Sequence, residues 1–129
     1  MGGFGREAER GFTLIELIVN IAIIGILVAI AIPMFSAYRR RAYDIDVKSN
    51  IKSAITTQEA YFTDHLSYTS LLGDLVSWGF KQSSAVDIAV TGSVTTFTVT
   101  GTATAGCSSG TGTWSFDSTN GLTTGVACN

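Results

Sequence analysis

One stretch of the chain leaves little freedom to the rest. Residues 12–32, FTLIELIVNIAIIGILVAIAI, are apolar except at Thr13, Glu16, Asn20 and Gly25. At about 1.5 Å per residue, a helix of that length is roughly 31 Å long, enough to cross a hydrocarbon core. In lipid the backbone must satisfy its own hydrogen bonds, so this run is predicted to be helical. Residues 1–11, MGGFGREAERG, are small, polar and charged, and read as a short leader without fixed structure.

Three ordinary explanations compete for such a run. A secretory signal peptide has a shorter apolar region and is cut after it; here the run continues smoothly into a helical pattern. A plain membrane anchor predicts no carboxylate at Glu16, because a charge in the bilayer is costly and is usually functional. A buried core helix needs a cover, and a head of under 100 residues can hardly wrap a helix that is apolar all round. Glu16 therefore requires a partner. The cations at hand are Arg6 and Arg10 of the leader, or a new amine on Phe12 if the chain is cut after Gly11. A carboxylate beside such an amine, at a helix N-terminus, is favoured on both Coulombic and dipole grounds. In an assembly the amine could belong to a neighbouring subunit, and the cost of burying Glu16 would be relieved only when subunits dock in register.

The residues Gly11-Phe12-Thr13-Leu14-Ile15-Glu16, heading an unbroken apolar helix, resemble the type III signal of type IV prepilins and pseudopilins. The likeness continues through Ala22-Ile23-Ile24-Gly25-Ile26-Leu27 and Ala29-Ile30-Ala31-Ile32-Pro33 to Phe35 and Tyr38. A looser match follows at Ala60-Tyr61-Phe62 and Tyr68-Thr69. The strict resemblance covers residues 11–38, and the head fits by layout alone. It implies a type IVa-like pilin, a structural protein and not an enzyme. A membrane aspartic prepilin peptidase would cut between Gly11 and Phe12 and N-methylate Phe12. Glu16 would pair with the Phe12 amine of an adjacent subunit. The helices would bundle into the core of a homopolymeric surface filament, used for attachment, twitching motility or DNA uptake, with the heads outside. The chain would sit in the inner membrane before assembly, head on the periplasmic side, served by an inner-membrane assembly machinery. A minor pilin or a type II secretion pseudopilin is the alternative.

Two features depart from that pattern. Asn20 stands where the family has an aliphatic residue; it either bonds to a neighbouring helix or is a tolerated blemish. The leader carries Glu7 and Glu9 beside its arginines and is less basic than usual. Arg39, Arg40 and Arg41 follow the span, and the positive-inside rule alone would place that side in the cytoplasm. The cysteines and the family both argue for the opposite orientation.

Pro33, the single proline, removes a backbone donor and crowds the carbonyl of Ala29. With Gly25 it marks the place for a kink or local unwinding. The helix is expected to resume and run to residue 63. Val47, Ile51, Ala54, Ile55, Gln58 and Phe62 recur at spacings of three and four and form a core-facing stripe. Asp46, Lys48, Asn50, Lys52, Ser53 and Glu59 are expected on the opposite, wet face. From Phe12 to Phe62, 51 residues would span roughly 77 Å. Arg39, Arg40, Arg41, Asp44 and Asp46 read as a charged collar, either an interfacial anchor with solvated surface or a set of ion pairs between subunits.

Residues 64–80 read as a loop with short turns, in which Leu71, Leu72, Leu75, Val76 and Trp78 seal one side of the head. Residues 86–90, 95–104, 113–117 and 122–127 carry β-forming patterns, with a hairpin turn at Ser118-Thr119-Asn120-Gly121. The expected fold is α+β: a long N-terminal helix on an antiparallel meander of three to four strands, one face on the helix and the other wet. The domains are a leader at 1–11, the helix at 12–63 with its span at 12–32, and a head at 64–129. Cys107 and Cys128 are compatible with a disulfide in an oxidising compartment or with two reduced thiols; membrane passage favours the bridge. It would close a loop of 20 intervening residues and tie the tail to the loop before the third strand.

Other chemistry has no foothold. His65 is the one histidine, and no Cys/His spacing suits zinc. Asp74, Asp87 and Asp117 are scattered. The glycines at 110 and 112 lie between strands and do not form a phosphate cradle. No Ser, His and Asp set is apparent, and no basic stripe marks a nucleic-acid site. No cofactor is implied. The aromatic residues at helical spacing are explained by packing more simply than by electron transfer.

Overall fold

The computed structural model describes residues 11–129. The leader, including Arg6, Glu7, Glu9 and Arg10, lies outside the described residues apart from Gly11. The elements are α1 (Leu14–His65), α2 (Leu72–Ser77), β1 (Val86–Gly92), β2 (Phe97–Ala103), β3 (Thr113–Asp117) and β4 (Leu122–Val126). The chain divides into two compact units, Met1–Phe35 and Ser36–Asn129.

In the first unit α1 is helical without interruption through both Gly25 and Pro33. None of its apolar window is covered. Sixteen large apolar side chains from Phe12 to Phe35 are exposed, between 45% and 80%. Each is worth about 1.5–3 kcal/mol when buried. Together they require lipid or protein around this segment.

In the second unit the rest of α1 lies on a four-stranded antiparallel sheet of order β1-β2-β3-β4. Consecutive strands are neighbours throughout. Val90 pairs with Val99, Gly101 with Trp114, and Trp114 with Gly125. Alternation sends Val86, Ile88 and Val90 of β1, and Phe97 and Val99 of β2, into the core beside Val47, Ile51 and Ala54 of α1. Gly101 lets the helix come close: a Cβ there would stand 2.9 Å from Val47 Cγ1 and 3.0 Å from Ile51 Cγ1. Gln58, the polar member of the helix stripe, is fully buried. Its amide is matched to the backbone of Thr69, Nε2 donating to the carbonyl at 2.7 Å and Oε1 accepting from the N–H at 3.1 Å. A buried amide is tolerated when both ends are satisfied in this way.

Four expectations need correction. Residues 64–80 contain α2, a short helix with Asp74 in its first turn. The Thr69 hydroxyl donates to Asp74 at 2.6 Å and accepts from the Leu71 N–H, which organises its start. Of the residues expected to seal the head, only Leu75 is fully buried, while Leu71, Val76 and Trp78 stay exposed. Leu71 and Trp78 lie outside the six residues of α2, and Val76, next to Leu75, points away from the face that Leu75 buries. Asn50, assigned to the wet face, is buried. Its amide nitrogen bonds Asp46 and Ser83, and its oxygen accepts from the Ser83 N–H at 2.9 Å. Finally, β4 is exposed along its whole length, on both faces.

Asp44 and Asp46 were expected to be solvated or paired between subunits. Both instead fasten the head to its helix. Asp44 Oδ1 accepts from Trp114 Nε1 at 2.9 Å and from the Cys128 N–H at 2.9 Å. Asp46 Oδ2 accepts from the Ser83 hydroxyl at 2.8 Å. Lys48 Nζ sits 3.6 Å from the centroid of the Trp114 ring, a close cation–π contact. Cys107 and Cys128 are bonded, as expected. In the chain-entropy picture this closure adds about 3 kcal/mol. The turn into β4 is held by Asp117, whose Oδ1 accepts from the Thr119 hydroxyl at 2.7 Å and N–H at 2.8 Å.

Two outcomes are expected. Asp44→Ala strands the Trp114 N–H and the Cys128 N–H, and a lost hydrogen bond to a charged group costs about 1.5–3 kcal/mol. The urea midpoint of the full chain in detergent should fall, and Trp114 should lose its fixed environment in near-ultraviolet dichroism; an unchanged midpoint would contradict the assignment. The Thr119 hydroxyl, and then its N–H, hold the Asp117 carboxyl below its ordinary value of 3.8. A lowered carboxylate value stabilises the fold above the unfolded pKa, and this support is lost as pH falls through the folded value. An NMR titration of Asp117 should thus have its midpoint below 3.8, and Thr119→Ala should raise it.

Candidate assembly site at the helix start

The start of α1 is set by Thr13 and Glu16. Thr13 precedes the first helical residue and Glu16 is the third within it, the spacing of a capping box. The Glu16 N–H donates to Thr13 Oγ1 at 3.3 Å, and the Thr13 N–H donates back to Glu16 Oε2 at 2.8 Å. The Thr13 hydroxyl also donates to Oε2, at 2.6 Å. Two N–H groups that a helix start leaves unpaired are thereby satisfied. The partner Glu16 has within the described residues is this local, neutral one. Its other oxygen, Oε1, accepts no hydrogen bond among the described residues. Sequence reasoning overlooked the cap, although Thr-x-x-Glu before an apolar run was there to be read.

Phe12, Ile15, Glu16, Val19 and Asn20 line one shallow hollow on the side of the helix. The ring of Phe12 is 80% exposed. A polar pair, Glu16 and Asn20, thus shares a face with otherwise apolar residues. A carboxylate there with one oxygen open can take a cation or a donor from outside the chain.

A Cβ added at Gly11 or at Gly25 would meet nothing within 4 Å. Nothing in the folded chain itself demands glycine at either position.

Elsewhere the sequence-selected residues are spread apart. Cys107 and Cys128 are together, with Cα atoms 4.9 Å apart, in the second unit. Two of the three arginines beyond the span lie against rings: Arg39 donates to the Tyr43 hydroxyl at 3.5 Å, and Arg41 stands 5.9 Å from the Tyr38 ring. His65 stacks on Tyr61 with centroids 3.9 Å apart. Among the described residues, no group of three or more His, Cys, Asp or Glu side chains could hold a metal ion.

Comparison with known proteins places this geometry. Residues 6–32 match the model of the prokaryotic N-terminal methylation motif. The chain is 47% identical over 76 residues to the type IV wide pilus major component PilA4 of Thermus thermophilus, covering 59% of this chain and 58% of that protein. It is 42% identical over 67 residues to the type IV major pilin protein PilA of Myxococcus xanthus, covering 52% of this chain and 30% of that one. To the type IV major pilin protein PilE of Neisseria gonorrhoeae it is 35% identical over 99 residues, covering 70% and 56%. The chain therefore spans between about a third and three fifths of the length of these relatives. The methylation motif at the head of an uncovered apolar helix, the four-stranded antiparallel head and these likenesses together support a type IV pilin.

Proposed function

We propose that this chain is the repeating structural subunit of a type IV pilus, with no catalytic role. The observation that carries the proposal is the apolar first half of α1, wholly uncovered and headed by a capped carboxylate. A prepilin peptidase removes residues 1–11 by cutting between Gly11 and Phe12 and methylates the new Phe12 amine. The exposed Gly11 and Phe12 are consistent with access by such an enzyme. Before assembly residues 12–32 lie in the inner membrane, with the head on the periplasmic side where a Cys107–Cys128 bridge is stable. The assembly machinery then draws the helix out of lipid into a bundle of its own kind. Glu16 Oε1 receives the Phe12 amine of a neighbour. Gly25 and Pro33 are where α1 yields as it packs. The second half of α1, from residue 36 to 65, carries the head.

The resulting surface filament serves attachment, twitching motility or DNA uptake. The names of the relatives describe major components, which favours a main subunit over a minor pilin or secretion pseudopilin.

The mature protein is expected to begin at N-methylated Phe12 by mass spectrometry, and an intact leader or a cut after Ile32 would overturn the proposal. Glu16→Ala should leave the chain in the membrane and empty the sheared surface fraction of filaments. Filaments at the unmodified level would contradict the role given to the carboxylate.

A further inference from the structure

We infer that Asn20 is a second register-setting residue, whose side-chain amide donates to the Glu16 carboxylate of a neighbouring copy. This inference rests on the assembly reading above.

Its starting point is an unexplained polar group. Asn20 is exposed on a helix face that is otherwise apolar apart from Glu16. No hydrogen bond of its side chain is present among the described residues. A primary amide left without partners in an apolar surrounding costs free energy of the order of 1–3 kcal/mol. In a monomer surrounded by lipid that cost remains. In a bundle it is removed when a second helix offers an acceptor.

The spacing says which acceptor. Phe12, Glu16 and Asn20 are four residues apart in each step and line one hollow. Side chains at i and i+4 are neighbours on a helix surface. Subunits that enter the bundle from one membrane are parallel. A shift of four residues between two parallel helices brings residue 12 of one level with residue 16 of the other. The same shift brings residue 16 of the first level with residue 20 of the second. One displacement of about 6 Å therefore serves both pairs. Chemistry agrees: the amine and the amide are donors, and the carboxylate is an acceptor whose Oε1 has no donor among the described residues. Each Glu16 would then be held from two sides, by the amine of one neighbour and by the Asn20 Nδ2 of another. The occupant of this face is a second copy of the same chain.

The test uses filaments of the full-length protein, trimmed by its own host, dissociated in a detergent titration. An average hydrogen bond between apolar helices corresponds to about a threefold change in an equilibrium constant. Asn20→Leu should be processed and should assemble, with filaments about threefold easier to dissociate. Asn20→Asp should be worse than Asn20→Leu, because it sets a carboxylate against the neighbour's Glu16. A density map of unmodified filaments should place Asn20 Nδ2 within hydrogen-bond distance of Glu16 of a neighbour. Asn20→Leu filaments as robust as the unmodified ones, or a map with Asn20 facing only its own helix, would overturn this inference alone. Absence of filaments from the unmodified, trimmed chain would overturn the assembly reading and this inference with it.

Discussion

Everything about this chain follows from an apolar helical segment of which none is buried. Sixteen large apolar side chains between Phe12 and Phe35 face outward. Such a surface exists stably only in lipid or against other apolar surfaces. Lipid alone would suit a helix without polar groups. Glu16 and Asn20 change the balance, because each is poorly served by lipid and better served by a polar partner. The capping box with Thr13 satisfies one carboxylate oxygen locally, and the other has no donor among the described residues. On the proposed function, the monomer would be tolerable in the membrane and better served in a bundle.

The head solves a separate problem. On the proposed function, its unit would remain folded while the apolar unit changes surroundings. The core of Val47, Ile51, Ala54, Val86, Ile88, Phe97 and Val99 supplies the bulk of the burial. Polar anchors then fix the sheet, the loops before it and the tail to the helix at distinct points: Asp44 to Trp114 and the tail, Asp46 and Asn50 to Ser83, and Gln58 to Thr69. The disulfide closes the last loop on that frame. Since β4 is left open on both faces, the sheet extends past the helix that supports it.

What could be read from the sequence was what repeats or alternates. The apolar run, the stripe through Val47, Ile51, Ala54 and Gln58, and the four strands follow periods of 3.6 and 2, and each appears in the fold with ends shifted by a residue or two. The cysteine pair was legible because only one bridge can form from two cysteines. The polar anchors were not. Asp44, Asp46 and Asn50 sit between apolar positions on α1, and periodicity assigns them to water. Their partners Trp114, Ser83 and Cys128 are 33 to 84 positions away, and no local pattern announces such pairs. The helix α2 escaped for the opposite reason: six residues are too few to show a period. At the candidate site, Gly11, Phe12 and Glu16 were legible through a short, specific signature, whereas the Thr13 cap was in plain view and was overshadowed by the search for a cation.

The central claim is that the acidic group at the helix start meets the amine of another subunit. Filaments grown from an equal mixture of two preparations, one with 15N at Phe12 and one with 13C at the Glu16 carboxyl, allow that distance to be measured by solid-state NMR between chains only. The account predicts strong nitrogen–carbon dipolar coupling, with the two atoms within about 4 Å, the range of a charge-assisted contact. Well-ordered mixed filaments with no such coupling would contradict it.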